Sequence, residues 1–321
     1  MGVTIERELW RSVTAAVKRA AKAVGRGGRR ACPYDDVLVV RMYLWAAWHD
    51  RPLSWACDRC HYNTLFRPRA LPSVSQFTRR VKAETARAIL QRAHDDLAAA
   101  GIATGLSCLD GKPLTVSPVS RDPDAARGHI TGGFAKGYKL HAWVTDDGRL
   151  PLWAVTPLNT DEKTVARLLC ARLPEMPGDA LVMADANYDA AHLHKAVERT
   201  GARLLCPLRG QKPVGTGVGA GGDRHPDNLR KMGAARRELV SLWDAKPDLC
   251  RHVLHHRNDV ERGFSTLTCH GGGLAALPAW VRTIGRVTRW VGAKIILYHA
   301  RLRAQNAAER RAAEAAKLVA A

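Results

Sequence analysis

The chain contains no long uninterrupted run of apolar residues. None approaches the roughly 20 residues needed to span the hydrocarbon core of a bilayer, although 46% of the 321 residues are hydrophobic. The first ten residues, MGVTIERELW, are charged and amphipathic, and they lack the apolar core of a secretory signal peptide. The sequence therefore predicts a globular cytoplasmic protein and argues against a membrane protein.

A second Cys-x-x-Cys pair is also missing. The eight cysteines are scattered, and only Cys57 and Cys60, followed by His61, stand at that spacing. A structural zinc site usually needs another such pair, and haem attachment to a CxxCH sequence requires an exported protein. We therefore expect reduced thiols rather than a zinc or haem site.

Acidic residues are scarce relative to basic ones. Fifty Lys and Arg against thirty Asp and Glu give a net charge of +20 and a pI near 10.1. A basic excess of this size indicates a polyanionic partner. A GC-rich genome, which favours arginine codons, is the alternative explanation, and an anionic membrane surface is a weaker one. The charge therefore favours nucleic acid as the partner.

Residues 1–103 are predicted to form an all-helical, DNA-binding N-terminal domain. Apolar periodicity predicts a helix from about residue 5 to 24, and Asp35 or Asp36 is a suitable cap for a second, buried helix. Two short helical patterns follow, PLSWACDRC and PSVSQFTRRV. They are compatible with a helix-turn-helix, but a plain helical bundle with a solvated basic face fits equally well. The predicted DNA-binding residues are those on and just after the second pattern, Arg79, Arg80 and Lys82.

Residues 104–300 have the texture of a mixed α/β domain. KLHAWVTDDGRLPLWAV alternates apolar and polar residues around a turn, which predicts a hairpin. Amphipathic helices are expected over 161–173 and 253–270, and a long helix over 279–304. The glycines of the 210–226 stretch match a dinucleotide-binding pattern, but without the required strand and helix they predict a flexible loop. Residues 301–321 form a basic, Ala-rich helical tail.

Three carboxylates stand where chemistry could use them. Asp110 and Asp185 each end a short apolar run, LSCLD and VMAD, and ligands of α/β domains gather at such strand ends. On a helical wheel, Glu261 borders an apolar stripe and Arg257 lies beside it. A surface ion pair between these two, worth roughly 0.3–0.5 kcal/mol, is the alternative interpretation. An all-oxygen set of ligands suits Mg²⁺ or Mn²⁺.

The motifs CLDGKPL, GYKLHAWVTDDGRLPLWAVTPLNTDE, VMADANYDAAHL and RNDVERGFSTL occur in this order. Together they resemble the catalytic domain of the DDE transposases of bacterial insertion sequences, over about residues 104–300. The resemblance implies a ribonuclease-H-like mixed sheet flanked by helices. It also implies a catalytic, metal-binding triad of Asp110, Asp185 and Glu261, with two Mg²⁺ or Mn²⁺ ions per site.

One branch of this family carries a Tyr–Arg–Glu–Lys signature on the helix of the third carboxylate. Arg257 and Glu261 match it at the required spacing, whereas Leu254 and Thr268 occupy the Tyr and Lys positions. The resemblance thus implies a phosphate contact for Arg257. A nearby Arg262 or Lys294 could replace the contact of the missing lysine.

The expected function is that of an insertion-sequence transposase. It would bind terminal inverted repeats, cleave DNA there and transfer the ends into target DNA, as a nucleoid-associated homodimer that holds two ends in a synaptic complex. Two alternatives remain open at this point. One is a repurposed or decayed transposase that binds DNA without catalysis, and the other is a stand-alone ribonuclease-H-like nuclease.

Overall fold

The chain divides into two compact units in a computed structural model. The described residues are 2–25, 34–99, 105–178, 180–208, 233–269, 273–274 and 276–320, without the side chains of 2–4, 258–263 and 318–320. The glycine-rich stretch 210–226 lies outside them. The helical unit comprises Met1–Ala99 and Thr266–Ala321, and the sheet unit comprises Ala100–Ser265. These units differ from the predicted ranges 1–103, 104–300 and 301–321, because the chain beyond residue 265 packs within the helical unit.

In the helical unit, side-chain caps fix the starts of the helices that begin at Asp36 and Val74. Asp35 accepts a hydrogen bond from the Leu38 amide at 2.7 Å, and Ser73 forms a reciprocal capping box with Gln76. Buried aromatic residues fill the interior, where the rings of Trp10 and Trp45 are 5.1 Å apart. The helices are α1 (Gly2–Val24), α2 (Asp36–Trp48), α3 (Val74–Val81), α4 (Glu84–Ala98) and, from the C-terminal part, α10 (Ile284–Ala320).

Two sequence expectations fail in this unit. The PLSWACDRC stretch forms two 3₁₀ turns, Trp55–Cys57 and Arg59–His61, instead of a short α-helix. The two α-helices on which the helix-turn-helix interpretation depended are therefore not both formed. In addition, the segment 301–320 is not a separate tail, because α10 continues through it without a break.

The described residues of the sheet unit form six strands in one mixed sheet. Its central strand β1 (Leu106–Thr115) pairs antiparallel with β3 on one side and parallel with β5 on the other. β6 is parallel to β5, while β2 and β4 pair antiparallel with successive stretches of β3. The mixed sheet confirms the predicted ribonuclease-H-like fold class. The remaining strands are β2 (Ala126–Ile130), β3 (Gly133–Thr145), β4 (Leu152–Pro157), β5 (Leu181–Met183) and β6 (Arg203–Leu205).

Strand β1 is longer than the sequence suggests. The Gly-Lys-Pro sequence after Asp110 predicts a break, yet one strand runs through to Thr115 and Pro113 pairs with Lys139 of β3. Among the described residues, β5 pairs only with Leu106–Cys108, so the later part of β1 has an open edge that tolerates a proline. Asp110 therefore lies within a strand and not at its end.

Helices cover the sheet and close a second core. Apolar side chains of the central strands pack there against helices between residues 162 and 255, with Leu109, Trp143 and Val182 almost fully buried. The sequence predicted a single helix over 253–270, but the structure has two. The His256 amide donates a hydrogen bond to the carbonyl three residues earlier, at Val253, and this tighter turn ends the first helix. The helices are α5 (Glu162–Cys170), α6 (Ala191–Glu198), α7 (Ala234–Ala245), α8 (Pro247–His255) and α9 (Arg257–Cys269).

Candidate active site

The register of the two central parallel strands places Asp110 and Asp185 side by side. Cys108 of β1 is paired with Met183 of β5. Asp110 lies two residues after Cys108, and Asp185 lies two residues after Met183. Residues two apart on a strand face the same side, and neighbouring strands lie about 4.8 Å apart. Two carboxylates 75 residues apart in sequence therefore reach the same edge of the sheet.

The local structure holds Asp185 in place at the end of β5. Its backbone remains extended, and its Oδ1 accepts a hydrogen bond from the Asn187 amide at 2.8 Å. This bond caps a 3₁₀ turn over Ala186–Tyr188. The side chain remains partly exposed, so that it can reach a ligand at the sheet edge.

Asp110 lies in an environment that disfavours its negative charge. Burial is the main reason that its pKa is raised to about 6, and the charges of Asp185 and Glu162 act in the same direction. A hydrogen bond from the Gly111 amide at 2.8 Å and the positive charge of Arg257 oppose the rise. Several acids thus lie together here with incomplete compensation, which is typical of functional sites.

Glu162 is a neighbour of this site that the sequence analysis missed. It is the first residue of α5 and forms an ion pair with Lys139 of β3. A Cβ added at Gly111 would lie 3.2 Å from the Glu162 Oε1 atom, so the pair lies directly beside the Asp110 segment. Its position at a helix start after β4 is the signal for it in the sequence. Neighbouring Asp161 caps this helix and accepts a 2.9 Å hydrogen bond from the Thr164 amide.

Arg257 and Tyr188 complete the described surroundings. Arg257 is partly buried at the start of α9, and its positive charge lowers the pKa of Asp110. The Tyr188 ring is 1% exposed. Burial raises the pKa of its hydroxyl, and the charges of Glu162, Asp110 and Asp185 raise it further. The structure therefore brings Arg257 to the two predicted aspartates.

The third predicted ligand lies on α9. Glu261 is within this helix, four residues after Arg257, but its side chain and that of Arg262 lie outside the described residues. The expected apolar stripe is present, since Phe264 and Leu267 are buried. The triad and the role of Arg262 therefore stay predictions.

The break at His256 separates the positions of the four-residue signature. Leu254, at the Tyr position, belongs to α8 and packs against the hydrophobic core of the sheet unit. Arg257 and Glu261 belong to the following helix α9. Leu254 consequently has a packing role that a surface-facing tyrosine would not fulfil.

The predicted DNA-binding residues of the N-terminal region differ in their surroundings. Arg79 and Lys82 are exposed in the helical unit. Arg80 points inward, where it forms a 2.6 Å ion pair with Asp36 and also bonds to the Tyr34 carbonyl. Its DNA-binding role stays a prediction, but this ion pair already occupies part of its guanidinium.

Lys294 does not supply the DNA contact expected of the signature lysine, whose position is occupied by Thr268. Its side chain is 1% exposed, and its ammonium donates to the Ala47 carbonyl at 2.5 Å and to Asp50 at 2.7 Å. Both partners belong to the helical unit. The expectation that this lysine could contact DNA is therefore wrong, because its charge is used inside the fold.

A second group of potential ligands lies in the core of the sheet unit. Asp189, His194 and Cys206 offer ligand atoms within 4.8 Å of one another. Both carboxylate oxygens of Asp189, however, accept 2.7 Å bonds from Arg236, so a buried cation already neutralises the acid. A group formed by Asp58, Cys60 and His61 is mostly exposed. Neither group includes a predicted triad residue.

The donor set at the sheet edge fits a divalent cation. Two carboxylates from adjacent strands lie together, and the pKa of Asp110 is raised chiefly by burial and further by the charges of Asp185 and Glu162. A hard divalent cation with oxygen ligands would supply the missing positive charge. Asp110 and Asp185 are the described residues able to bind it directly.

A mixed α/β sheet with grouped carboxylates defines the general class of protein, and comparison with known proteins identifies the family. A family model described as "Transposase DDE domain" matches residues 103–274, more than half of the chain. The chain therefore belongs to the transposase DDE-domain family, which confirms the resemblance to DDE transposases and associates the chain with DNA transposition, while the insertion-sequence branch stays a prediction. Transposases of this family use divalent metal ions.

A distant similarity to a solved structure also exists. The chain is similar to the piggyBac transposase in a cryo-EM structure of its synaptic complex with hairpin DNA, with 9% sequence identity and a TM-score of 0.44. The similarity covers 96% of this chain and 75% of that chain. The search of curated proteins found no match.

Among the described residues, no helix combines the length and the apolar character that a bilayer crossing requires.

Proposed function

We propose that this protein is an insertion-sequence transposase. It binds the terminal inverted repeats of its element, cleaves the DNA at these ends in a metal-dependent reaction and transfers the strands to target DNA. The observation that supports this most directly is the placement of Asp110 and Asp185 at one edge of the sheet by the β1–β5 register, within the range matched by the family model.

Divalent cations would be held by Asp110 and Asp185, with Glu261 of α9 as the proposed third ligand. Bound Mg²⁺ or Mn²⁺, proposed as two ions per site, would supply an activated nucleophile and stabilise the leaving oxygen in phosphodiester cleavage. The protein's own contribution is to fix the carboxylates on neighbouring, well-packed elements. The hydrogen bonds from Gly111 and Asn187 orient the two aspartates for this task.

Arg257 is proposed to contact the phosphate next to the scissile bond. Its positive charge already acts on Asp110, so a phosphate held by these carboxylates and their cations would lie within its field. A guanidinium can bind two phosphate oxygens at once, which a lysine ammonium cannot do with the same geometry. Arg262, Arg79 and Lys82 are proposed to contact DNA elsewhere, as is any exposed part of Arg80.

An in vitro transposition assay tests the proposal. The full chain, DNA carrying the terminal repeats of its element and Mg²⁺ should give nicked ends and joined products, and EDTA should abolish both. Glu261→Gln should reduce cleavage by more than about 10³-fold while end binding persists, since a lost metal ligand removes several kcal/mol of transition-state stabilisation. Glu238→Gln is a matched control, because Glu238 is a surface residue of α7 paired with Arg203.

The same assay separates the alternatives. Hydrolysis of DNA without strand joining would indicate a stand-alone nuclease. Specific binding without any cleavage by the wild-type chain would indicate a repurposed, non-catalytic DNA-binding protein. Full activity of Glu261→Gln would instead refute the triad and leave the family assignment intact.

Binding to two ends implies an assembly. We propose a homodimer in a synaptic complex, since one active site per end must be held in fixed relation to the other. Light scattering of the protein with and without end DNA measures this directly, and a monomer with one bound end under cleavage conditions would contradict it.

A further inference from the structure

A cavity in the helical unit combines aromatic rings with basic side chains. It has a volume of about 200 Å³ and lies among α2, α3, the start of α10 and the segments that precede α10 and follow α2. Pockets that enclose a drug-sized ligand measure roughly 300–1,000 Å³. This smaller cavity therefore fits one fragment of a ligand, about the size of a single nucleobase. Its aromatic lining consists of Tyr43, Trp280 and Trp290.

The charges around this cavity are all of one sign. Its described lining contains four basic side chains and no Asp or Glu, and none of the four forms an ion pair with any described residue. Like charges that are grouped without an acid raise the energy of the folded protein. An anionic ligand would remove this cost. The four are Arg51, Lys82, Arg286 and Arg289.

Electrostatic coupling shows that two of these cations lie close to the aromatic lining. Burial raises the pKa of the Tyr43 hydroxyl, and the charges of Arg289 and Arg286 oppose this rise. Burial lowers the pKa of Arg289, the Tyr43 hydroxyl opposes the change, and the charges of Arg286 and Arg87 lower it further. Guanidinium groups thus crowd one another beside a buried ring.

The start of α10 makes the same region more positive. The first turn of a helix carries a partial positive charge and normally favours acidic residues. The first turn of α10 contains no acid and has Arg286 as its third residue. The preceding Thr283 has a φ of +67°, a strained value for a β-branched residue. A cation in the first turn and a strained residue before it both destabilise the helix, and a bound anion would offset the charge part of this cost.

Trp280 supplies a flat surface beside these charges. It is 40% exposed, whereas Trp290 in the same lining is 4% exposed. Arg286 donates a 2.7 Å hydrogen bond to the Trp280 carbonyl and so fixes the backbone that presents the ring. An exposed indole next to guanidinium groups is the combination with which proteins stack a nucleobase and bind its phosphate.

We propose that this cavity binds one unpaired nucleotide of DNA, with its base stacked on Trp280 and its phosphate held by Arg286 and Arg289. The base must be unpaired, because in a duplex both of its faces are covered by neighbouring base pairs. The inference rests on the proposed use of DNA as substrate. It adds a second contact in the helical unit, formed by other residues than the carboxylate site.

The test uses the full chain in EDTA, so that its result does not depend on cleavage. The probes are a short 5′-phosphorylated single strand with a fluorescent adenine analogue, the same sequence as a fully paired duplex, and a free deoxynucleoside monophosphate as competitor. Wild-type protein should quench the analogue in the single strand. Trp280→Leu should weaken single-strand binding roughly tenfold to a hundredfold and leave duplex binding unchanged, whereas Trp280→Phe should retain most of the affinity.

Charge variants test the phosphate contact. Arg286→Gln and Arg289→Gln should each weaken single-strand binding. Each should also reduce the slope of log affinity against log salt concentration by about one, because one fewer counterion is released on binding. Arg303→Gln is the matched control, since Arg303 is exposed on the same helix about 25 Å further along at 1.5 Å per residue. It should leave both quantities nearly unchanged. Circular dichroism confirms that each variant is folded.

Three results would overturn the proposal. A folded Trp280→Leu protein that binds and quenches the single strand like wild type would remove the stacking contact. Equal losses on single-strand and duplex DNA would make the cavity an ordinary duplex-backbone contact. A free deoxynucleotide that competes as well as the oligonucleotide would make the ligand a free nucleotide. None of these measurements involves metal or cleavage. A negative result would therefore refute the nucleotide-binding cavity without affecting the transposase proposal, and an inactive enzyme would not refute the cavity.

Discussion

Asp185 and Asp189 are four residues apart, yet they lie in opposite electrostatic environments. Asp189 is 6% exposed, and Arg236 donates two 2.7 Å hydrogen bonds to its two oxygens. Asp185 remains partly exposed and adds its charge to that of Asp110, and among the described residues its carboxylate accepts hydrogen bonds from nearby Asn187. The fold thus neutralises one acid and leaves the other to repel a neighbour.

The difference indicates which acid is kept for a ligand. A buried carboxylate that is fully paired contributes to the structure, and its removal leaves an unpaired buried cation. Carboxylates grouped at a sheet edge lower the stability of the protein, so their retention requires another reason. A cation-dependent function supplies that reason for Asp110 and Asp185. Variants of the two neighbouring acids should therefore affect different measurable properties.

The largest effect is expected for Asp185→Asn. Cleavage of end DNA with Mg²⁺ should fall by more than about 10³-fold, because a proposed metal ligand is lost. The melting temperature without metal should stay the same or rise, since one of two repelling charges is removed. Asp248→Asn is the control, because Asp248 is an exposed acid of the same unit paired with Arg251. A large loss of stability in Asp185→Asn would remove the contrast with Asp189.

Asp189→Asn should have the reverse effect. Loss of this carboxylate leaves the Arg236 guanidinium buried without its counter-charge, which should lower the free energy of unfolding by about 3–5 kcal/mol. Urea titration of the wild type, Asp189→Asn and Asp248→Asn measures this value. The double variant Asp189→Leu with Arg236→Met should recover part of the loss. If Asp189→Asn is as stable as the control, Asp189 has no structural role.

The pH dependence of stability tests the carboxylate group next. In the folded protein without metal, the pKa of Asp110 is raised to about 6, chiefly by burial. The folded state therefore binds this proton more tightly than the unfolded state, and the free energy of unfolding should fall as the pH rises from about 4 to 6, by about 1–3 kcal/mol. Above this range the Asp110 contribution should be constant.

Asp110→Asn should remove this contribution. Urea titrations in EDTA between pH 4 and 7 compare its slope with that of the wild type, and Asp248→Asn again serves as the control. Added Mg²⁺ should stabilise the wild type at neutral pH and have little effect on Asp110→Asn, because a ligand that binds the folded state stabilises it. An identical slope in wild type and Asp110→Asn would refute the burial of charge at this position.

The sequence allowed the family and the strands that carry Asp110 and Asp185 to be predicted, because their signals are local. The apolar runs before Asp110 and Asp185 predicted two strands, and the ordered motifs predicted the family that the match over residues 103–274 confirms. The alternation around the turn at Gly148 predicted the β3–β4 hairpin, and the structure has this turn with a φ of +79° at the glycine.

The features that were missed depend on contacts between distant residues. Nothing near Pro113 indicates that β1 continues through it, because the reason is the open edge left by the short strand β5. The packing of α5 brings Glu162 to Asp110. The sequence likewise does not show that the Lys294 ammonium binds Asp50 and Ala47 and is therefore not free to contact DNA. Local patterns do not contain this information.

Asp50→Asn extends the comparison to the helical unit with the smallest expected effect. Asp50 neutralises a buried lysine as Asp189 neutralises a buried arginine, but its own side chain is 47% exposed, and the Ala47 carbonyl also accepts from Lys294. The backbone φ of +53° at Asp50 is one that asparagine adopts readily, so the substitution changes the charge with little strain. The cost should therefore be only about 1–2 kcal/mol, since the ammonium retains one oxygen partner and the amide oxygen can still accept.

Thermal unfolding of Asp50→Asn beside Asp189→Asn measures the difference. Equal losses in the two variants would mean that solvent access and the second acceptor give no protection, and that counter-charge alone determines the stability of buried cations in this protein.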